Sequence, residues 1–547
     1  MQARRVRGLS DNPPLVSRMP QLRGLSWLPA VGLSVAFTVA VLLWDPHVRD
    51  LAAQTFRTEL FERGGFSIWN GSWYGGHYTL TYSVLGPPAA ALIGPRLVGA
   101  LSVVASAYLF DRLVREHWGE QAHWATLWFG VGAVSLLVAG QLTFAMGVAF
   151  GLLSLRCLQK EHPLQATVAA MACALASPVA AAFLGGVVLA AIVPGKARRG
   201  GAAVAGVALG VVLLLNLTFP ESGEFPFAFT SYIGIPLWCA GALLLTRGMP
   251  EERDFRLAVI AYLAAATVAW LIPNPLGGNA IRLGALFGGP VLAAIMLTRR
   301  PRVSPILVAL VLVGSLYWQL MAGVRAAVQT DGDRSTTATY YEPLRDWLGR
   351  HGGGTSRIEV PPTSNHWESA YLAPDFGLAR GWLRQLDTTR DDVFYEGRLT
   401  HERYSRWLRA NAVRYVALPD APLDYSARAE RSLILSEPGY LQPRWSSPHW
   451  RVYSVRRPGP LVVGDGRSSG RMRSLGTESF AIEVTRPGNL IVRQRFTPFW
   501  AVKSGPGCVE RAGSWTRLQA RRPGLIRVGI DFSPGRALEG VLGARGC

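Results

Sequence analysis

Apolar runs separated by short, arginine-bearing stretches fill the chain from Trp27 to about Ala322; beyond it the pattern is mixed, polar and rich in Arg, Pro and Gly. About 20 apolar residues match the hydrocarbon core of a bilayer, so the first part reads as membrane and the second as soluble. The runs are Trp27 to Trp44, Val84 to Phe110, His123 to Gly140, Leu142 to Cys157, Leu164 to Ser177, Pro178 to Val193, Ala202 to Phe219, Ala228 to Thr246, Leu257 to Ile272, Leu283 to Leu297 and Ser304 to Met321. They predict a polytopic α-helical membrane protein of eleven transmembrane helices. The pair flanking Ser177 and Pro178 is short, which fits two half-length helices or a re-entrant hairpin.

Between the first two runs the period changes. Val48, Ala52, Phe56 and Leu60 recur every four residues while Asp50, Gln54 and Arg57 form a polar stripe, predicting an amphipathic helix along the membrane surface with its apolar side in lipid. In the soluble half, Tyr341 to Arg350 reads as helix, Arg357 to Val360 as strand, His401 to Asn411 as helix and Val413 to Leu418 as strand, an α/β alternation. Phe480 to Thr485, Asn489 to Phe496 and Leu525 to Phe532 are short alternating strands broken by Pro and Gly, predicting a β-sandwich. The expected divisions are a basic tail (1–26), a transmembrane domain (27–323) whose first outer loop is 45–83, an α/β domain (324–456) and a β-sandwich domain (457–547).

Charge changes the picture by fixing topology. The net charge of +20 would point to nucleic acid in a soluble protein, but here much of the arginine lies in short loops between apolar runs. With eleven crossings, the basic tail and the loops holding Arg112 and Arg115, Arg156 and Lys160, Lys196 to Arg199, Arg247 to Arg256 and Arg299 to Arg302 fall on one side. That side is cytoplasmic by the positive-inside rule. The first run is then an uncleaved signal anchor in the plasma membrane, and both soluble domains are extracytoplasmic. In that compartment Cys508 and Cys547 are expected to form a disulfide. No zinc spacing, phosphate loop or hydrolase elbow occurs, and no metal or cofactor is implied.

The outer face collects the candidate chemistry. Asp45, His47, Asp50 and His77 come from the first loop, Gln141 from a tight turn, and Asn274, Asn279 and Arg282 from a Gly-rich loop. A carboxylate at a membrane boundary facing an arginine suits general-base catalysis on an acceptor hydroxyl, with the guanidinium on a phosphate. Asp45 follows Trp44 and precedes Pro46, where it can cap the incoming helix. Asp50, on the polar stripe, is the expected base and Asp45 the supporting group. Singly, each residue has a structural reading: Asp45 as cap, Asp50 paired with Arg49 or Arg57, the aromatics as an interfacial belt. In the α/β unit His366, Trp367, Glu368 and Arg380 form a polar and aromatic cluster that suits an acceptor glycan.

These features resemble the C superfamily of membrane glycosyltransferases. The resemblance rests on Asp45 and Asp50 just after the first span, the amphipathic helix from His47, the aromatic stretch Trp69 to Tyr78, and Tyr82 with Pro87 and Pro88. The paired adjacent acids of many members are lacking, and four residues separate Tyr82 from Pro87. The resemblance implies inverting, metal-independent transfer of a sugar from a polyprenyl-phosphate carrier to an envelope glycan or lipid. It implies Asp50 and Asp45 as catalytic groups, and Arg282, Asn279, His77 and Tyr82 as donor-binding groups. Two rival readings are a transporter, which the scarcity of ionisable groups within the spans disfavours, and a non-catalytic scaffold for envelope assembly.

Overall fold

The computed structural model describes residues 28–192, 198–221, 223–299, 303–395, 397 and 399–541. The basic tail and Cys547, and with it the expected disulfide, lie outside the described residues.

Each apolar run is helical, but the runs are unequal. Among the described residues six helices are long and apolar enough to cross a membrane: Pro95–Trp118, Leu142–Gln159, Gly200–Thr218, Pro250–Leu271, Gly277–Arg299 and Pro305–Thr330. A seventh arises if helix α1 (Leu28–Trp44) and helix α2 (Arg49–Gly64), which meet at 80°, count as one bent span. The remaining runs form Pro163–Ala176, Pro178–Ile192, Phe229–Leu245 and a helix interrupted at Ala133, all short of a full bilayer crossing. Eleven full crossings are therefore not reached by length and composition. Ser177, extended at φ −156°, separates the half-length pair before Pro178.

The C-terminal half holds three sheets of three or more strands among the described residues. A five-stranded mixed sheet runs in the order Gly377–Leu378, Arg357–Glu359, Val413–Pro419, Trp450–Val455, Leu441–Ser446. The first three strands are parallel and the last two antiparallel to their neighbours. Beyond it, two four-stranded antiparallel sheets face each other across a shared core that includes Phe480, Ile482, Leu490, Val492, Leu518 and Ile526. That is a β-sandwich.

The first loop joins all three parts. Trp73 bridges Leu378 in parallel register, and the Leu378 amide donates to the Ser72 carbonyl at 2.7 Å, so the loop extends the edge of the mixed sheet. Gly71 donates to Thr477 at 2.8 Å and Arg495 to the Gly75 carbonyl at 2.7 Å, tying the same loop to the sandwich. Trp69, Trp73, Tyr74 and Tyr78 are all buried. These aromatics are core, not an interfacial belt.

Helix α2 departs from expectation in the same way. Its apolar stripe is covered by protein instead of lipid: Val48, Ala52 and Phe56 are buried, and Phe56 stacks on Trp73 with centroids 4.4 Å apart. An amphipathic period specifies an apolar partner without saying which, and Trp73 of the first loop supplies it here. Gly140 lies directly beneath. Its φ is 72°, and a Cβ there would come within 2.8 Å of the Leu51 amide nitrogen, so only glycine lets α2 settle onto the helical body.

Candidate active site

Helix α2 is held at its N-terminal turn by the α/β domain. The Trp367 indole donates to the His47 carbonyl at 2.9 Å, the Trp382 indole to the Arg49 carbonyl at 3.0 Å, and the Arg49 guanidinium lies 3.5 Å from Asp424. This grip fixes the rotation of the helix. Its polar stripe then faces the end of the first outer loop, at Tyr82, and the start of the helix Ile281–Arg299.

Asp50 is the focus of that face. Burial pushes its carboxyl above the ordinary range, opposed chiefly by the positive charges of Arg282 and Arg49, with Arg57 a smaller one. No hydrogen bond or ion pair engages the Asp50 carboxylate among the described residues. Arg282, half-buried, has its guanidinium 5.2 Å from the Phe144 ring centroid and likewise has no ion pair there. Between them Gln54 donates to the Tyr82 hydroxyl at 3.1 Å, and Tyr82 packs edge-on against Trp382 at 6.2 Å. Three candidates from separate loops, Asp50, Tyr82 and Arg282, thus share one neighbourhood. An uncommitted carboxylate beside an uncommitted guanidinium is an arrangement able to accept a proton and hold an anion.

Asp45 stands apart. It has φ 54°, is exposed, and pairs with the Arg96 guanidinium at 2.7 Å. It lines a different cleft, of about 690 Å³, with Trp44, His47, Asp331 and Asp333. Asn279 sits in the turn Gly277–Ala280, and its side chain makes no hydrogen bond among the described residues. That turn is organised by Asn274, whose side-chain oxygen accepts from the amides of Leu276 and Gly277 at 2.9 and 2.8 Å.

His77 is framework. Its ring stacks on Trp73 at 5.4 Å, and burial lowers its pKa to about 3, so it is neutral. Nδ1 donates to the Tyr78 carbonyl at 2.8 Å, which leaves Nε2 to accept from the Asn70 amide at 3.0 Å.

The four expected acceptor residues are interior. His366, Trp367, Glu368 and Arg380 are each at most 4% exposed. Glu368 accepts from the Thr363 hydroxyl at 2.6 Å, and His366, at φ 55°, lies 3.5 Å from Asp424 and 3.4 Å from Glu368. Arg380 forks onto Asp387 at 2.9 and 2.6 Å and reaches Glu430 at 3.4 Å. None presents a free face to a glycan. Their density marks a buried ion network that positions α2.

That network has more acid than base. Burial, with repulsion from Glu430, pushes Glu359 far above the carboxylate range, and burial also raises Asp391 and Glu430. A carboxyl whose folded pKa is raised holds its proton above the unfolded pKa of about 4, so the folded state binds more protons in that window. Stability then falls as pH rises through it. The full chain in detergent should show a higher thermal midpoint at about pH 5 than at about pH 7.5, and Glu359→Gln should flatten the difference. A midpoint that rises across this interval, in wild type and variant alike, would contradict the assignment.

Arg57 is the residue that the sequence pattern underweighted. It is 5% exposed, its guanidinium carbon lies 3.7 Å from the Tyr82 ring centroid, and neither Nη atom has a hydrogen-bond partner. Its place on the Asp50 stripe, two turns further along, was the available signal.

No family profile matches the chain, and no curated protein matches it by sequence. Among solved structures, it is similar to the arabinofuranosyltransferase AftD from Mycobacteria, at 13% identity and TM-score 0.44, over 93% of this chain and 57% of that one. It is also similar to an oligosaccharyltransferase from Archaeoglobus fulgidus, at 12% identity and TM-score 0.43, over 80% of this chain and 74% of that one. The chain spans less than two thirds of the length of the arabinofuranosyltransferase.

Proposed function

We propose that the protein is an inverting membrane glycosyltransferase that moves a sugar from a polyprenyl-phosphate donor to an extracytoplasmic glycan or lipid of the envelope. The observation that supports this reading is the Asp50 carboxylate, without a hydrogen bond or ion pair among the described residues and raised by burial, with Arg282 as its first charged neighbour. Asp50 accepts the proton of the acceptor hydroxyl as its oxygen attacks the anomeric carbon. The bond from that carbon to the phosphate oxygen breaks, and its electron pair leaves on the phosphate, whose charge Arg282 offsets. Tyr82 borders the donor position. The acceptor enters from the soluble-domain side, where the indoles of Trp367 and Trp382 fix the helix that carries the base.

Donor binding tests the anion role. Arg282→Ala should weaken binding of a prenyl-phosphoryl sugar by about tenfold or more, the value of a charged hydrogen bond. Arg282→Lys should recover part of that loss, since it keeps the charge but not the bidentate fork. Wild-type affinity in Arg282→Ala would dispose of the role.

A further inference from the structure

We infer that Arg57 is a second anion-binding residue of this site, placed to receive the leaving phosphate of an anionic prenyl lipid. The inference rests on the reading of the α2 face as the donor site.

An arginine is rarely buried without an acceptor, because removing a guanidinium from water is expensive unless hydrogen bonds replace the lost hydration. Arg57 breaks that rule. It is 5% exposed with both Nη atoms unpartnered, and its close neighbours are aromatic: Tyr82 at 3.7 Å, which also supports the charge as a polar neighbour, Trp382 at 5.7 Å and Trp73 at 5.9 Å. Such faces attract the cation without satisfying its N–H donors. The free protein thus carries a charge with donors to spare, which an oxyanion would complete.

The crevice at this guanidinium says what kind of anion. It is a narrow space of about 30 Å³ whose walls include Leu60, Phe61, Phe66 and Pro87 on the apolar side, with the hydroxyls of Thr79 and Ser83 among them. Phe66 is 59% exposed, so the walls run out to the protein surface. Apolar walls leading to a buried cation match an amphiphile with an anionic head, not a free ion.

Position along the helix assigns the role. Seven residues separate Asp50 from Arg57, two turns and about 10 Å of rise. In an inverting displacement the nucleophile and the leaving group lie on opposite sides of the anomeric carbon, so base and leaving-group cation must stand apart by about the depth of a sugar ring. Arg282 is the strongest positive neighbour of Asp50 and compensates the base as well as the donor. Arg57, at the other end of the stripe, is free for the departing phosphate.

The test separates this role from packing by exploiting the missing partners. Arg57→Met keeps an unbranched side chain and removes an unsatisfied buried charge, so the free protein should melt at the same or a higher temperature. Binding of a prenyl phosphate, measured without sugar or acceptor, should weaken about tenfold to a hundredfold. Binding of the matching uncharged prenol should not change. A lower melting temperature together with wild-type affinity for the phosphate would show a packing arginine and overturn the proposal. Equal competition by phosphatidylglycerol would also overturn it, since the site would then take any anionic lipid. Because no turnover is involved, a failure here is distinct from failure of the Asp50 assignment, which a transfer assay reads.

Discussion

Asp50→Asn should lower sugar transfer by about a hundredfold to ten-thousandfold, the range that general-base catalysis supplies, while leaving the melting temperature unchanged or slightly raised. The change is nearly isosteric, and the carboxylate it removes makes no hydrogen bond or ion pair among the described residues. The variant therefore deletes a proton acceptor without opening the fold. Because burial raises the Asp50 pKa, the acid limb of the wild-type rate profile should lie above the ordinary carboxylate value of about 4. Asp45→Asn is the matched control. That carboxylate is exposed and bound to Arg96 in a separate cleft, so its loss should reduce turnover only modestly. Abolition by Asp45→Asn alone would reverse the two roles, and full activity in both variants would move the active site elsewhere.

Periodicity showed where helices and strands lie, because the chain must hide apolar faces whatever hides them. The half-length helices around Ser177, the mixed sheet begun by Arg357 and the sandwich strands around Ile482 and Val492 all follow from that. Periodicity did not tell lipid from protein. The stripe of Val48, Ala52 and Phe56 looks the same in sequence whether it meets acyl chains or Trp73. Nor does it fix the number of crossings, for a related reason: a run of fourteen apolar residues such as Pro163–Ala176 packs inside a bundle as readily as it leads across a bilayer.

Site chemistry was legible only where topology forces loops together. Asp50, Tyr82 and Arg282 were grouped by being at one end of the helical body, and the structure places them in one neighbourhood. His366, Trp367, Glu368 and Arg380 were grouped by density in sequence, and density marks a satisfied interior network as readily as an open site. What separates the two is partner count. Glu368 and Arg380 have partners at 2.6 to 3.4 Å, whereas Asp50 and both Nη atoms of Arg57 have none among the described residues. Partner count is a property of the folded chain, absent from any window of residues.

Arg380→Met should therefore be the most destabilising single change in the soluble half, at about 3 to 5 kcal/mol, the usual loss when one partner of a buried ion pair is removed. Its guanidinium serves Asp387 through two nitrogens, touches Glu430 and Ser426, and sits 4.1 Å from the Phe394 ring. Without it Asp387, Glu430, Glu359 and Asp391 share one interior with no central cation. Protonation of these acids relieves part of that repulsion, so the variant should regain stability as pH falls toward about 5, more steeply than wild type. The loss should reach the active site through Trp382, whose indole holds the Arg49 carbonyl at the start of α2. Transfer activity should then decline in parallel with unfolding of the α/β domain, and the acceptor KM of the folded fraction should stay constant. A variant that melts like wild type yet needs far more acceptor would instead place Arg380 in contact with the acceptor, and would reopen the cluster as a binding site.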